Sequence, residues 1–209
     1  LTIEQVGRYF FRGVDPSAPF RRVRKLIAVG LLAIDPNLSL GRRRILRLTS
    51  LGLKTAEVGY WFHIPPARRI NPALLAHEEL VGSVRLRLAE FWDGRFVPER
   101  AIRRREFAQI PDGIFYFRSG RGIALEVENS PKGKTRFIRL LQRWKRVDHI
   151  ACVLFVVATP ELEDRLRTYL PFAPPDQPVG LVRWDRLESG HPLIWTPRGE
   201  LDLLGRKEF

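Results

Sequence analysis

The run from Ile150 to Ala158, IACVLFVVA, carries no charge and no polar alternation. That pattern constrains the fold more than any other stretch. It is far too short to span a bilayer, and a strand with one wet face would alternate. A continuous apolar run of this length fits a central strand covered on both faces. Covering both faces takes helices, so the chain is expected to build a mixed sheet flanked by helices.

The flanking segments supply those layers. Asn71 and Pro72 give an N-cap followed by a first-turn proline ahead of a helix to Phe91. Leu74, Val81, Val84, Leu88 and Phe91 form its apolar stripe, with His77 on the same stripe as a packed histidine. RFVPERAI, GIFYF and GIALEVE then read as strands, the last two joined by a turn at Ser119–Gly122. TRFIRLLQRWKRV is an amphipathic helix burying Phe137, Leu140, Leu141 and Trp144 and turning Arg136, Arg139, Arg143 and Arg146 outward. After the apolar run come a helix, PELEDRLRTYL, and a strand, PVGLVRW. The expected order is α-β-β-β-α-β-α-β, in the α+β or α/β class.

The first 56 residues differ in character. They hold eleven Lys or Arg against three acids, which is eight of the thirteen net positive charges of the 209-residue chain. Thr2 and Gln5 have capping-box spacing. Asp15, Pro16 and Ser17 break the chain and start a second helix. In that helix Phe20, Val23 and Ile27 share an inward face, with Arg21, Arg24 and Lys25 opposite and Arg22 adding to the basic surface. GLLAID and ILRLTS read as short strands joined by the basic loop PNLSLGRRR. Helix, turn, helix and basic hairpin together resemble a winged helix-turn-helix domain. That resemblance puts Arg21, Arg22, Arg24 and Lys25 on a DNA-reading helix and Arg42, Arg43 and Arg44 on a wing touching phosphates. A solvated basic face without a ligand is the other reading of the same charges.

A net charge of +13 favours an anionic partner. With no signal-peptide pattern and no long apolar segment, nucleic acid precedes membrane. Cys152 is the single cysteine, so no intrachain disulfide argues for export, and a cytoplasmic location is expected. It reads as a small core residue. The four histidines lack zinc-ligand spacing. No RRM-like pattern of stacking aromatics supports an RNA module.

The chemistry concentrates in PDGIFYFRSGRGIALEVENSPKGK, Pro111 to Lys134. Side chains alternate along a strand, so Glu126 and Glu128 share a face, and the hairpin brings Asp112 beside Glu126. Grouped carboxylates suit Mg²⁺ or Mn²⁺, which polarises a phosphate and activates water. A lysine nearby stabilises the charge that develops. Two plainer readings stand beside this one. Asp112-Gly113 is a common turn pair, and the glutamates could pair with surface arginines.

Asp112 after Pro111, then Glu126 on the next strand, in this element order, resembles the PD-(D/E)xK nuclease superfamily. That superfamily places a lysine two residues after the second acid, where this chain has Glu128. Over most of its length the chain resembles the replication-relaxation family of plasmid and conjugative-element proteins. The similar segments are LRLTSLGLKTA, VPER, IPDGI and ALEVENSPKGK. The resemblance implies a winged helix at 1–58, a linker at 59–70 and a nuclease-like domain at 71–209. It carries Glu99, Asp112, Glu126, Glu128 and Lys132 onto one polar cluster, with Asp112 and Glu126 as metal ligands and Lys132 in place of the displaced lysine. The implied partner is double-stranded DNA, in plasmid mobilisation, conjugation or replication. Two activities fit: metal-dependent phosphodiester hydrolysis, or a non-catalytic regulator or accessory role. In the second case the nuclease-like domain serves for dimerisation, giving a homodimer, or for grip on DNA.

Overall fold

The computed structural model describes residues 1–41, 43–56, 71–102, 107–144, 147–190 and 193–202. The chain divides into two compact units, Leu1–Ser83 and Val84–Phe209. The expected linker at 59–70 lies outside the described residues, and the division between units falls later, inside a helix.

In the first unit, α1 (Ile3–Phe10) opens on a capping box. The Gln5 N–H donates to Thr2 Oγ1 at 3.2 Å, and the Thr2 N–H donates to Gln5 Oε1 at 2.8 Å. Two otherwise orphaned helix-end donors are thereby satisfied. α2 (Ala18–Ala28) follows a tight start in which the Ser17 N–H donates to Asp15 Oδ1 at 2.9 Å. It buries Pro19 and Val23. Pro19 sits over Gly7 of α1, where a Cβ would lie 3.3 Å from the Pro19 ring. The inward stripe therefore begins at Pro19, and Phe20, expected in the core, turns outward with 50% of its surface exposed.

β1 (Leu32–Leu40) and β2 (Arg43–Leu48) form an antiparallel hairpin with an irregular register between Ile34 and Ser39. Gly41 has φ +61° between them, the left-handed conformation that glycine adopts at no steric cost. The strands extend through the segment expected as a loop, so Arg43 and Arg44 lie on β2 itself. Thr2 bridges Ile45 of β2, and α3 (Ser50–Ala56) follows.

α4 (Leu75–Phe91) begins after a 3₁₀ turn at Pro72–Leu74, with Asn71 Oδ1 accepting from the Ala73 N–H at 3.1 Å. Its first part belongs to the first unit. There the Gln5 amide donates to Glu79 O and to Ser83 Oγ, both at 2.9 Å, and Glu79 pairs with Arg43. The buried stripe runs through Leu75, Val84, Leu88 and Trp92; Leu74, expected on it, is exposed.

The second unit is built on seven strands whose spatial order follows the sequence: β3 (Gly94–Pro98), β4 (Gly113–Phe117), β5 (Gly122–Glu128), β6 (Ile150–Val157), β7 (Val179–Arg183), β8 (Leu193–Thr196) and β9 (Gly199–Asp202). β3, β4 and β5 are antiparallel, β5, β6 and β7 parallel, and β8 and β9 antiparallel again. α5 (Lys134–Arg143) joins β5 to β6, and α6 (Pro160–Arg167) joins β6 to β7. Both crossovers step the same way along the sheet, which puts these helices on one face. On that face Phe137 of α5 meets Phe155 at 5.3 Å between ring centres. The other face carries Trp92 against Phe115 and Phe117, at 5.5 and 5.3 Å. Every residue of β6 except Cys152 is buried, as the apolar run requires. The mixed sheet and the α-β-β-β-α-β-α-β order are present; α7 (Trp184–Ser189), β8 and β9 extend them. Among the described residues no helix is long and apolar enough to cross a membrane.

Candidate active site

The end of β5 gathers the acids. Gly113 pairs with Leu125 and Ile114 with Ala124, and continuing that antiparallel register places Asp112 opposite Glu126. Asp112 is not a turn residue. Its N–H donates to Leu125 O at 2.9 Å, extending the ladder, and its Oδ2 accepts from the Val127 N–H at 2.7 Å. Gly113 beside it is demanded by packing, because a Cβ there would lie 2.1 Å from the Phe96 ring.

Glu126 is in register with Phe155, so it projects toward the face covered by α5. Only 4% of its surface is exposed, and its Oε1 has no hydrogen-bond partner. Burial raises its pKa well above the ordinary carboxylate value; Asp112 and Glu128 push it further up, while Lys132 and a hydrogen bond from Gln109 oppose them. The four neighbours that act on Glu126 are thus Asp112, Glu128, Lys132 and Gln109.

Glu128 is equally buried and forms an ion pair with Lys132. The chain after Glu128 brings the Lys132 ammonium back onto that acid, four residues earlier. Glu99, in a 3₁₀ turn after β3, donates its backbone N–H to Asp112 O at 3.2 Å, and the residue is exposed. Among the described residues there is no group of three or more His, Cys, Asp or Glu side chains that could hold a metal ion. Glu128 is engaged by Lys132, and Asp112 accepts from the Val127 N–H, beside the buried Glu126. Mg²⁺ needs only one or two carboxylates when waters and phosphate oxygens complete its shell. A buried carboxylate oxygen with no donor, beside a second acid, fits that requirement.

Gln109 is the site residue that sequence reasoning missed. It precedes Asp112 by three positions, yet the acid whose pKa it lowers, Glu126, lies seventeen residues downstream. Cys152 stays outside the site: burial pushes its thiol up to about 12, so it remains protonated.

The basic residues of the first unit divide. Arg21, Arg22, Arg24 and Lys25 are all exposed on α2, and a shallow depression of about 220 Å³ is lined by Ala18, Arg21, Arg22 and Lys25. Arg21 also reaches Asp15 at 2.8 Å. Arg44 is exposed, whereas Arg43 is held by both carboxylate oxygens of Glu79. Arg42 lies outside the described residues. No family model, curated protein or solved structure matches the chain.

Proposed function

We propose that this chain is a double-stranded-DNA-binding protein of a mobile genetic element whose second unit hydrolyses phosphodiester bonds with Mg²⁺ or Mn²⁺. The observation that carries this reading is Glu126: a carboxylate buried to 4% exposure, opposite Asp112, with one oxygen lacking any donor. Ionising this buried acid is costly, and a bound cation would offset that cost. The strand order and the placement of Asp112 and Glu126 agree with a restriction-endonuclease-like domain.

Asp112 and Glu126 would hold the ion. When bound, the ion polarises a phosphate oxygen and lowers the pKa of a coordinated water. Lys132, oriented by Glu128, supplies a positive charge for the phosphate as negative charge develops on it. The exposed residues of α2 would hold the duplex by its phosphates, as the second helix of a winged helix-turn-helix does, with Arg44 as a further contact.

Supercoiled plasmid incubated with each metal gives the test. The parent should nick it; Asp112→Asn and Lys132→Met should each lose at least a hundredfold in rate while binding DNA as before. Binding of Mn²⁺ without nicking by the parent would transfer the assignment to the accessory-factor reading.

A further inference from the structure

We propose that the outward face of α5 is a second phosphate-binding surface, by which the second unit grips nucleic acid independently of α2. The inference rests on the DNA-binding part of the reading above and not on its metal. α5 carries four cations, Lys134, Arg136, Arg139 and Arg143, all exposed, and no acid. Phe137 and Leu141 are fully buried and Trp144 nearly so, which fixes the rotation of the helix about its axis. At 3.6 residues per turn, Arg136, Arg139 and Arg143 then form one stripe opposite the buried side. The stripe runs seven residues, a rise of about 10 Å, or about three phosphate steps along one strand of a duplex.

The helix itself gains nothing from this arrangement. Cations three and four positions apart repel one another. Lys134 and Arg136 stand in the first turn, where the helix dipole favours acids, and Gly133 offers no side-chain cap there. Among the described residues no carboxylate pairs with Arg136, Arg139 or Arg143. Neighbouring helices mix the signs: α6 has three acids and two arginines, Arg167 pairs with Glu163, and Arg186 of α7 reaches the same acid. α5 keeps one sign only, and a polyanion complements it. The stripe is arginine throughout, and the forked donors of arginine suit phosphate oxygens. An anionic membrane fits less well. A helix lying in a membrane surface buries its apolar face there, and that of α5 is already packed on the sheet against Phe155.

The test follows the fluorescence anisotropy of a labelled short duplex titrated with the full chain, in chelator and at several salt concentrations. Arg136→Gln, Arg139→Gln and Arg143→Gln combined should make the plot of log affinity against log salt shallower by about 2.7, at about 0.9 per phosphate contact, with the melting temperature unchanged. Arg118→Gln, Arg165→Gln and Arg198→Gln combined remove the same charge from scattered exposed positions and should leave the slope at the parent value. A parent-like slope for the α5 variant, or an equal change in the scattered one, overturns the inference. If the α5 triple does not fold, Arg139→Gln alone should lower the slope by about 0.9, and no change there overturns the inference equally. Vesicles rich in phosphatidylserine form a second arm: binding that the α5 variant loses while keeping the duplex would assign the face to a membrane and overturn the inference. Failure of the underlying reading looks different: the parent itself does not bind the duplex, and the inference then falls with it. A loss in the α5 variant with none on changing α2 upholds the inference and removes α2 alone.

Discussion

The two units place their charge in opposite ways. The first displays it: Arg21, Arg22, Arg24, Lys25 and Arg44 lie exposed, where water and salt screen them. The second hides three of its acids. Glu126 and Glu128 on β5 and Glu163 on α6 are each at most 4% exposed, in a core otherwise lined by Val, Leu, Ile and Phe. An exposed charge acts at a distance, weakly and without direction, which suits attraction to a polyanion. A buried charge acts on its immediate neighbours, strongly and along fixed directions, which suits a site. One chain thus uses like chemistry for two purposes by changing only its depth.

The sharpest way to break this comparison is Glu163. It accepts from Arg167 at 2.8 Å and Arg183 at 3.2 Å and pairs with Arg186 at 3.4 Å, tying α6 to β7 and α7. Removing the acid leaves three cations facing one another. Glu163→Ala should destabilise the second unit by about 3 kcal/mol, the low end for a broken buried pair because the arginines retain some exposure. Thermal or urea unfolding measures it, and a change under about 1 kcal/mol would show that depth is not what gives the acid its weight.

Next in size is the basic helix. Replacing Arg21, Arg24 and Lys25 together with Ala should weaken duplex binding and make the plot of log affinity against log salt shallower by about 2.7. Arg44→Ala should weaken binding without moving the melting temperature. Arg43→Ala, which loses the Glu79 pair, should lower that temperature slightly. An unchanged salt slope in the triple variant would remove α2 from the interface.

A smaller effect, read as a slope, comes from Glu126. Its folded pKa is raised, so between the ordinary carboxylate value and the raised one the native state holds a proton that the unfolded chain has released. Stability therefore falls as pH rises through that window. Glu126→Gln cannot titrate and should flatten the fall, so its advantage over the parent grows from pH 4 upward. Saturating Mn²⁺ should shrink that advantage at neutral pH by stabilising the charged parent. A parent curve parallel to that of Glu126→Gln would contradict the burial of the charge. The smallest effect belongs to Asp15, whose pKa is lowered to about 2 by its hydrogen bonds to Ser17 and then Arg21. Its contribution is present above the ordinary value and lost as pH falls toward 2, and Asp15→Ala should barely move the melting temperature at neutral pH.

Much of this was legible in the sequence where a pattern is local. The capping box at Thr2, the apolar β6, the turn after Phe117 and the shared face of Glu126 and Glu128 depend on spacings of a few residues. Phe20 and Leu74 were misassigned because each has an apolar neighbour, Pro19 or Leu75, and a helix rotated by one residue satisfies the periodicity nearly as well. The length of the β1–β2 hairpin was obscured by Pro36 and Gly41, both ordinary loop signals. The arginines around Glu163 were not legible at all, since their meaning lies in a partner brought close only by the fold.

The three hydrogen bonds of the Gln5 side chain have a practical consequence for dissecting the molecule. Its oxygen serves the start of α1, and its nitrogen reaches Glu79 and Ser83 on α4. A fragment cut at residue 56, where the basic segment ends in sequence, would strand that amide and leave Arg43 without its acid. One extended through Ser83 would keep both, so the smallest autonomous piece of the basic half is longer than its composition suggests.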